Sequence, residues 1–305
     1  MILIRMLFLA CAVSVCLRSA VTAGPPRPDD EVGQTRHRML SASRSKTFLL
    51  SIGIKPHDTE SMLICRLTNK GPGDAAVDEL FHRLNSFIFI RNGQRNQIGY
   101  TANSPNSIIV KEGQDAVWKV SIQQLAEFAG GGNWMPGQTS RIQWQCAYTL
   151  SRPLWISCTD PNGVISSHVH GPNSTTVTPI LSFVFSEKQP SQLGFLFING
   201  TGEDVAVEKP LTQASRIVAA APAINYTRDL FIVDQAAEVI EIESGKVGEW
   251  RIPWQTVYEL IPEEDLEKIK AAAGDLDLVW KVGEYQSDPL PLSLADPDGA
   301  GQMTE

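Results

Sequence analysis

Apolar residues alternate with polar ones along much of the chain, with the period of two that puts one side of an extended segment on a buried face. Phe48, Leu50, Ile52 and Ile54 keep this alternation, as do Phe183 and Phe185. Phe87–Ile90 and Leu230–Val233 are short unbroken runs of β-forming residues. Turn residues bound them: Asn92-Gly93 follows the first run, Asp234 the second, and Asn69 with Gly71, or Asn199 with Gly200, interrupts a further hairpin. Short strands at this spacing, without helices between them, predict an antiparallel sandwich and not a parallel α/β sheet. One helix is predicted over Pro262–Ala271. Glu263, Glu264 and Asp265 open its first turn, Lys268 and Lys270 stand in its last, and Gly274 follows.

The pattern occurs twice. Leu63–Asn69 followed by Asp74–Val77 is matched by Leu193–Asn199 followed by Asp204–Val207, at an offset of 130. Glu112-Gly113 and Trp118–Val120 match Ser244-Gly245 and Trp250–Ile252 at 132. Ile142–Trp144 with Pro153-Leu154 matches Leu278–Trp280 with Pro289-Leu290 at 136, and Asp160–Gly163 meets Asp296–Gly299 at the same offset. Four blocks in one order, drifting as small loop insertions would make them drift, predict a duplicated domain. The copies are set at 46–163 and 176–299, with a linker at 164–175 and a tail at 300–305. Gly130-Gly131-Gly132 stands near the helix's place in the first copy, so the helix is an insertion in the second.

The order of strand, Asn-Gly turn, paired strands, Trp strand and final Pro-Leu strand resembles the immunoglobulin-like modules of exported bacterial proteins. The fold class expected is therefore all-β, two tandem immunoglobulin-like antiparallel β-sandwiches. The resemblance implies a binding or spacer module, not a reaction. It also implies an inter-sheet disulfide between Cys65 and Cys146. Phe195 and Val282 occupy those positions in the second copy, so such a bridge would be dispensable.

Residues 1–23 stand apart from this pattern. Arg5, the apolar run Met6–Leu17 and Val21-Thr22-Ala23 have the parts of a secretory signal cleaved near Ala23. The run is shorter than the roughly 20 residues a membrane span requires, and Arg18 closes it. A lipid-anchored start at Cys16 or Cys11 is the weaker alternative. Residues 24–45, with Pro25, Pro26 and Pro28 and few apolar side chains, are expected to be a disordered linker. The localisation expected is periplasmic or secreted, with no transmembrane segment in the mature chain.

The whole chain has 26 basic and 34 acidic side chains. Without Arg5 and Arg18 the mature part carries a net charge of −10, from 24 basic against 34 acidic. That balance argues against nucleic acid as a partner. Of five cysteines, Cys65, Cys146 and Cys158 lie beyond the signal, an odd count that leaves one thiol over after any single bridge.

Candidate chemistry is sparse. His168 and His170 alternate in an extended segment and could share an ion, but zinc takes three or four ligands, and His37, His57 and His82 are scattered. Asp296-x-Asp298-Gly299 and Asp160-x-Asn162-Gly163 have the opening of a calcium loop without its distant Glu, and also suit a tight turn. Neither pair supports a metal as cofactor, and no cofactor is expected. No nucleophile elbow occurs, and Ser166-Ser167-His168 has no Asp partner. Cys158 has only Arg152 nearby to lower its pKa. Trp118, Trp144, Trp250 and Trp280 stand at matched strand positions and are expected in the core. Trp134, Trp155 and Trp254 have no counterpart and are the candidate surface anchors. Asn173, Asn199 and Asn225 fit the glycosylation sequon.

These observations favour an exported, non-catalytic binding or structural module, monomeric, with an unknown protein or envelope component as partner. A protease-inhibitor-like pair presenting the loop 129–137 is one alternative, and a hydrolase using the linker histidines is another.

Overall fold

The structure is a computed structural model and describes residues 48–56, 61–82, 84–91, 94–98, 107–122, 124–125, 139–159, 176–185, 190–272 and 274–294. The expected signal at 1–23, the expected linkers at 24–45 and 164–175 and the expected tail at 300–305 lie outside the described residues.

The N-terminal half contributes β1 (Phe48–Lys55), β2 (Met62–Asn69), β3 (Ala75–Asp78), β4 (Asn85–Arg91), β5 (Gln94–Ile98), β6 (Ser107–Val110), β7 (Asp115–Ser121), β8 (Thr139–Cys146), β9 (Thr149–Leu150) and β10 (Leu154–Cys158). The C-terminal half contributes β11 (Val177–Phe185), β12 (Gln192–Asn199), β13 (Val205–Glu208), β14 (Ser215–Ala221), β15 (Tyr226–Leu230), β16 (Val239–Ile242), β17 (Val247–Pro253), α1 (Trp254–Tyr258), α2 (Glu263–Ala271), β18 (Asp275–Val282), β19 (Tyr285–Gln286) and β20 (Leu290–Ser293). The fold is all-β with short helices. The predicted helix forms as α2, with Pro262 ahead of it, three acids in its first turn and two lysines in its last.

Both halves build both layers. Sheet I runs β15-β14-β18-β20-β1-β2-β7, and sheet II runs β17-β12-β11-β10-β8-β4-β5. The halves meet at two parallel seams, β1 with β20 through Ile54 and Leu292, and β10 with β11 from Ile156 and Phe183 to Cys158 and Phe185. Strand pairing within each half is antiparallel. The first strand of each half thus hydrogen-bonds to the last strand of the other.

Alternation decides which side chains enter between the layers. Leu50, Ile52 and Ile54 of β1 point inward with Leu63, Cys65 and Leu67 of β2, and meet Phe87, Phe89, Ile142 and Trp144 of the opposing sheet in one core that continues into the C-terminal half. Trp144 and Trp280 are fully buried. A ring of that size removes roughly 200 Å² from water, on the order of 5 kcal/mol of transfer free energy as an upper estimate. Trp118 and Trp250 are only partly buried and pack against Trp144 and Trp280, at ring separations of 5.5 and 6.1 Å.

The polar atoms that enter this core are bonded in the same way in both halves. Trp144 Nε1 donates to Asn85 Oδ1 at 2.7 Å and Trp280 Nε1 to Ser215 Oγ at 3.0 Å. Ser151 Oγ accepts the Trp144 amide at 2.9 Å and donates to the Arg152 carbonyl, and Ser287 Oγ does the same between Trp280 and Asp288. Fully buried Asn69 donates through Nδ2 to the carbonyls of Gly73 and Val110 and accepts the Gly71 amide. Asn199 donates to Glu203 and Ile242 and accepts from Thr201. Each Asn ties its hairpin turn to a distant strand end.

The run Leu230–Val233 departs from expectation. β15 stops at Leu230, and Ile232 and Val233 are exposed. The Ile232 amide turns away to the Leu211 carbonyl and Asp234 adopts φ 70°, so the chain leaves the sheet where β-propensity alone would extend it.

Candidate binding groove

On strands buried on one side, the residues facing outward are free to vary. Along β18 the alternation Asp275-Leu276-Asp277-Leu278 sends both leucines into the core and both carboxylates outward. Neighbouring strands bring Pro291 opposite Asp277 and Ser293 opposite Asp275. Across the seam β1 adds Leu49, Ser51 and Gly53, and β2 adds Ile64 and Arg66. With Arg152, Pro222 and Ala223 these residues line a groove of about 300 Å³ over the β1–β20 seam. Gly53 permits the approach of the two strands, because a Cβ there would stand 3.3 Å from the Leu292 carbonyl carbon.

Two ion pairs cross from one half to the other in this groove. Arg66 Nη1 donates to Asp275 Oδ2 at 3.2 Å, with Asp115 at 3.9 Å on its other side. Arg152 Nη1 donates to Asp277 Oδ2 at 3.3 Å. Burial lifts Asp275 above the usual carboxylate range, Arg66 pulls it back, and Asp277 and Asp115 add to the rise. Burial likewise lifts Asp277 against the pull of Arg152. In neither case does the guanidinium offset the desolvation.

The corresponding place on sheet II is built differently. Where sheet I has Asp275 paired with Ser293, sheet II has Thr139 paired with Ser157, and Gly53 opposite Ile64 gives way to Ser182 opposite Gly194. A chain of hydroxyl bonds, Thr139–Ser157 at 2.7 Å and Ser157–Ser182 at 2.8 Å, closes that surface, and all three residues are buried. Arg141, in the place of Asp277, stands 3.9 Å from Asp288, so sheet II keeps one cross-half ion pair with its charges exchanged but has no counterpart of Asp275.

The residues singled out from sequence lie elsewhere. His168, His170, Asp296, Asp298 and Trp134, and the loop 129–137, are outside the described residues. Trp155 is half-buried on β10. Trp254 is not the expected surface anchor: only 9 % of it is exposed, because α1 turns its ring under the sheet edge and against Tyr258 at 5.7 Å. It lines a second cavity of about 250 Å³ with Lys55 and Lys270. Cys65 and Cys146 are free thiols in this structure, not the expected bridge. Burial raises both above the ordinary thiol range, with each disfavoured further by a neighbour, Cys146 for Cys65 and Asp78 for Cys146. Among the described residues no three His, Cys, Asp or Glu side chains cluster to hold a metal, and no helix is long and apolar enough to cross a membrane.

Arg66, Arg152, Asp275 and Asp277 did not emerge from the sequence. The alternation around Asp275 and Asp277 was a sufficient signal that both face one way. Their proximity to Arg66 depends on a seam between halves, which a local pattern does not encode.

No family model matches the chain, and no curated protein does. Among solved structures it is similar to red sea bream transglutaminase, at 10% identity and a TM-score of 0.22, over 88% of this chain and 34% of that one. It therefore spans about a third of the transglutaminase's length. It is also similar to a chain of the CsuC-CsuE chaperone-tip adhesion subunit pre-assembly complex of Acinetobacter baumannii, at 13% identity and a TM-score of 0.24, over 81% of this chain and 98% of that one.

Proposed function

We propose that the protein is an exported, non-catalytic binding or structural module of the cell envelope or medium, monomeric and built on a duplicated immunoglobulin-like scaffold. The observation that carries this reading is the division of labour between matched and unmatched residues. Those matched between the halves, such as Asn69 and Asn199 or Trp144 and Trp280, are spent on turns and core bonds. Apart from these, Arg66, Arg152, Asp275 and Asp277 line one outward groove over the β1–β20 seam, as expected when a stable sandwich carries a recognition surface. Export rests on Arg5, the apolar run to Leu17 and the Val21-Thr22-Ala23 site.

The test is to immobilise the mature protein and expose it to envelope extract and medium from the exporting cell. Saturable retention of a component, recovered chemically unchanged, is the expected result. Time-dependent conversion of a component by the protein would overturn the non-catalytic reading.

A further inference from the structure

We propose that the groove over the β1–β20 seam takes a cationic group on an apolar stem, the chemistry of an alkylammonium or alkylguanidinium. This rests on the reading of the protein as a binding module and names its ligand class.

The charge of the groove sets the sign of its ligand. Arg66 and Arg152 are balanced by Asp275 and Asp277 in the lining, and Asp115, beside Arg66 but not itself a lining residue, tips the local balance to one surplus carboxylate. An anion entering here would displace bonds already made and meet the surplus carboxylate. A cation would find acceptors to spare. Asp275 and Asp277 each receive one guanidinium contact through a single oxygen, although a carboxylate can accept about four hydrogen bonds. Standing two residues apart on one strand, they are about 7 Å apart along β18, close enough to flank one ammonium or guanidinium head. Both are partly desolvated, which strengthens a bond to an incoming cation.

The rest of the groove suits a hydrocarbon stem. Leu49 is 57% exposed, Ile64 is buried on the outward face, and Pro222 and Pro291 close the walls. About 300 Å³ lies at the lower end of small-ligand sites, enough for a chain of a few carbons and its head group. The sheet II seam supplies the internal contrast, since Thr139 and Arg141 stand there in the places of Asp275 and Asp277, paired with Ser157 and Trp155.

Calorimetric titration of the mature protein with hexylammonium tests the proposal, with hexanoate as the opposite charge on the same stem. Saturable hexylammonium binding is expected. It should weaken at least about tenfold in Asp275→Asn/Asp277→Asn, as loss of a charge-assisted contact implies. In the unaltered protein the methyl resonances of Leu49 and Ile64 should shift along the same isotherm, a readout independent of how well the variant folds. Absence of saturable binding, hexanoate binding as tight as hexylammonium, or unmoved Leu49 and Ile64 methyls would each overturn it. Retention of an envelope component by a protein that fails this titration would remove the groove and leave the binding-module reading standing.

Discussion

Replacing Asn199 by Ala isolates a bond set that the fold uses twice. Asn199 is fully buried, and its Nδ2 donates at 2.8 Å to both the Glu203 and Ile242 carbonyls, while Oδ1 accepts from the Thr201 amide at 3.1 Å and its hydroxyl at 2.6 Å. In the Ala variant Glu203 keeps the Thr201 hydroxyl, but the Ile242 carbonyl is left buried without that donor. Losing that donor to a buried carbonyl costs about 1–3 kcal/mol, and the weakened Thr201 bonds add about 1 kcal/mol, for a total near 3 kcal/mol. In a protein of this size that is a fall of roughly 6–12 °C in Tm by calorimetry. Asn69→Ala removes the corresponding donor to the Val110 carbonyl and should fall within about 1 kcal/mol of it. Asn199→Asp should be worse than Ala at neutral pH, because it points a carboxylate at two carbonyl oxygens. Its folded pKa would lie above the unfolded value, so its stability should recover as pH falls and be lost again as pH rises through the folded pKa. A Tm loss under about 2 °C in Asn199→Ala, or an Asp variant no worse than Ala at neutral pH, would refute the argument.

A single backbone cut between Thr159 and Thr176 should leave the two halves co-eluting in size exclusion, since both parallel seams survive it; separation would remove the seams from the fold. Cys65 and Cys146 stay protonated when folded but ionise near pH 8.5 when unfolded, so stability should fall as pH rises above about 8.5, and Cys65→Ala/Cys146→Val should flatten that limb in urea titrations. Gly194→Ala would bring a Cβ to 2.7 Å from Ser182 Oγ and 2.8 Å from a Val184 methyl carbon, and should cost about 1–3 kcal/mol in the midpoint of urea unfolding. N-terminal sequencing of exported material should begin at Gly24; a chain starting at Met1 would exclude cleavage after Ala23.

Local periodicity made much of the architecture legible. Alternation placed Leu50, Ile52 and Ile54 inward, and acids before lysines located α2. Matched blocks picked out Asn69 and Asn199, whose equivalent bonds follow from equivalent strand ends. Ser151 and Ser287 were open to the same comparison, two residues before each Pro-Leu pair. The pairing of β1 with β20 was not legible, because alternation gives the face a residue occupies and says nothing of which strand lies alongside. Trp254 misled because a lone aromatic carries no period, and only the turn into α1 decides whether its ring is covered. The groove inherits the first difficulty: Asp275 and Asp277 share β18, but Arg66 and Arg152 reach them only from the other half.

The seam between β1 and β20 also orders events in time. Ile54 cannot find Leu292 until nearly all the described chain has emerged from the ribosome. Until then the outer edge of β1 offers unsatisfied amides and carbonyls to any passing strand. Contacts this distant in sequence make for slow closure, since the loop entropy is lost before the bonds form. The last strand to appear thus completes the sheet begun by the first, and a chain arrested before Leu290 would carry an open edge that invites aggregation.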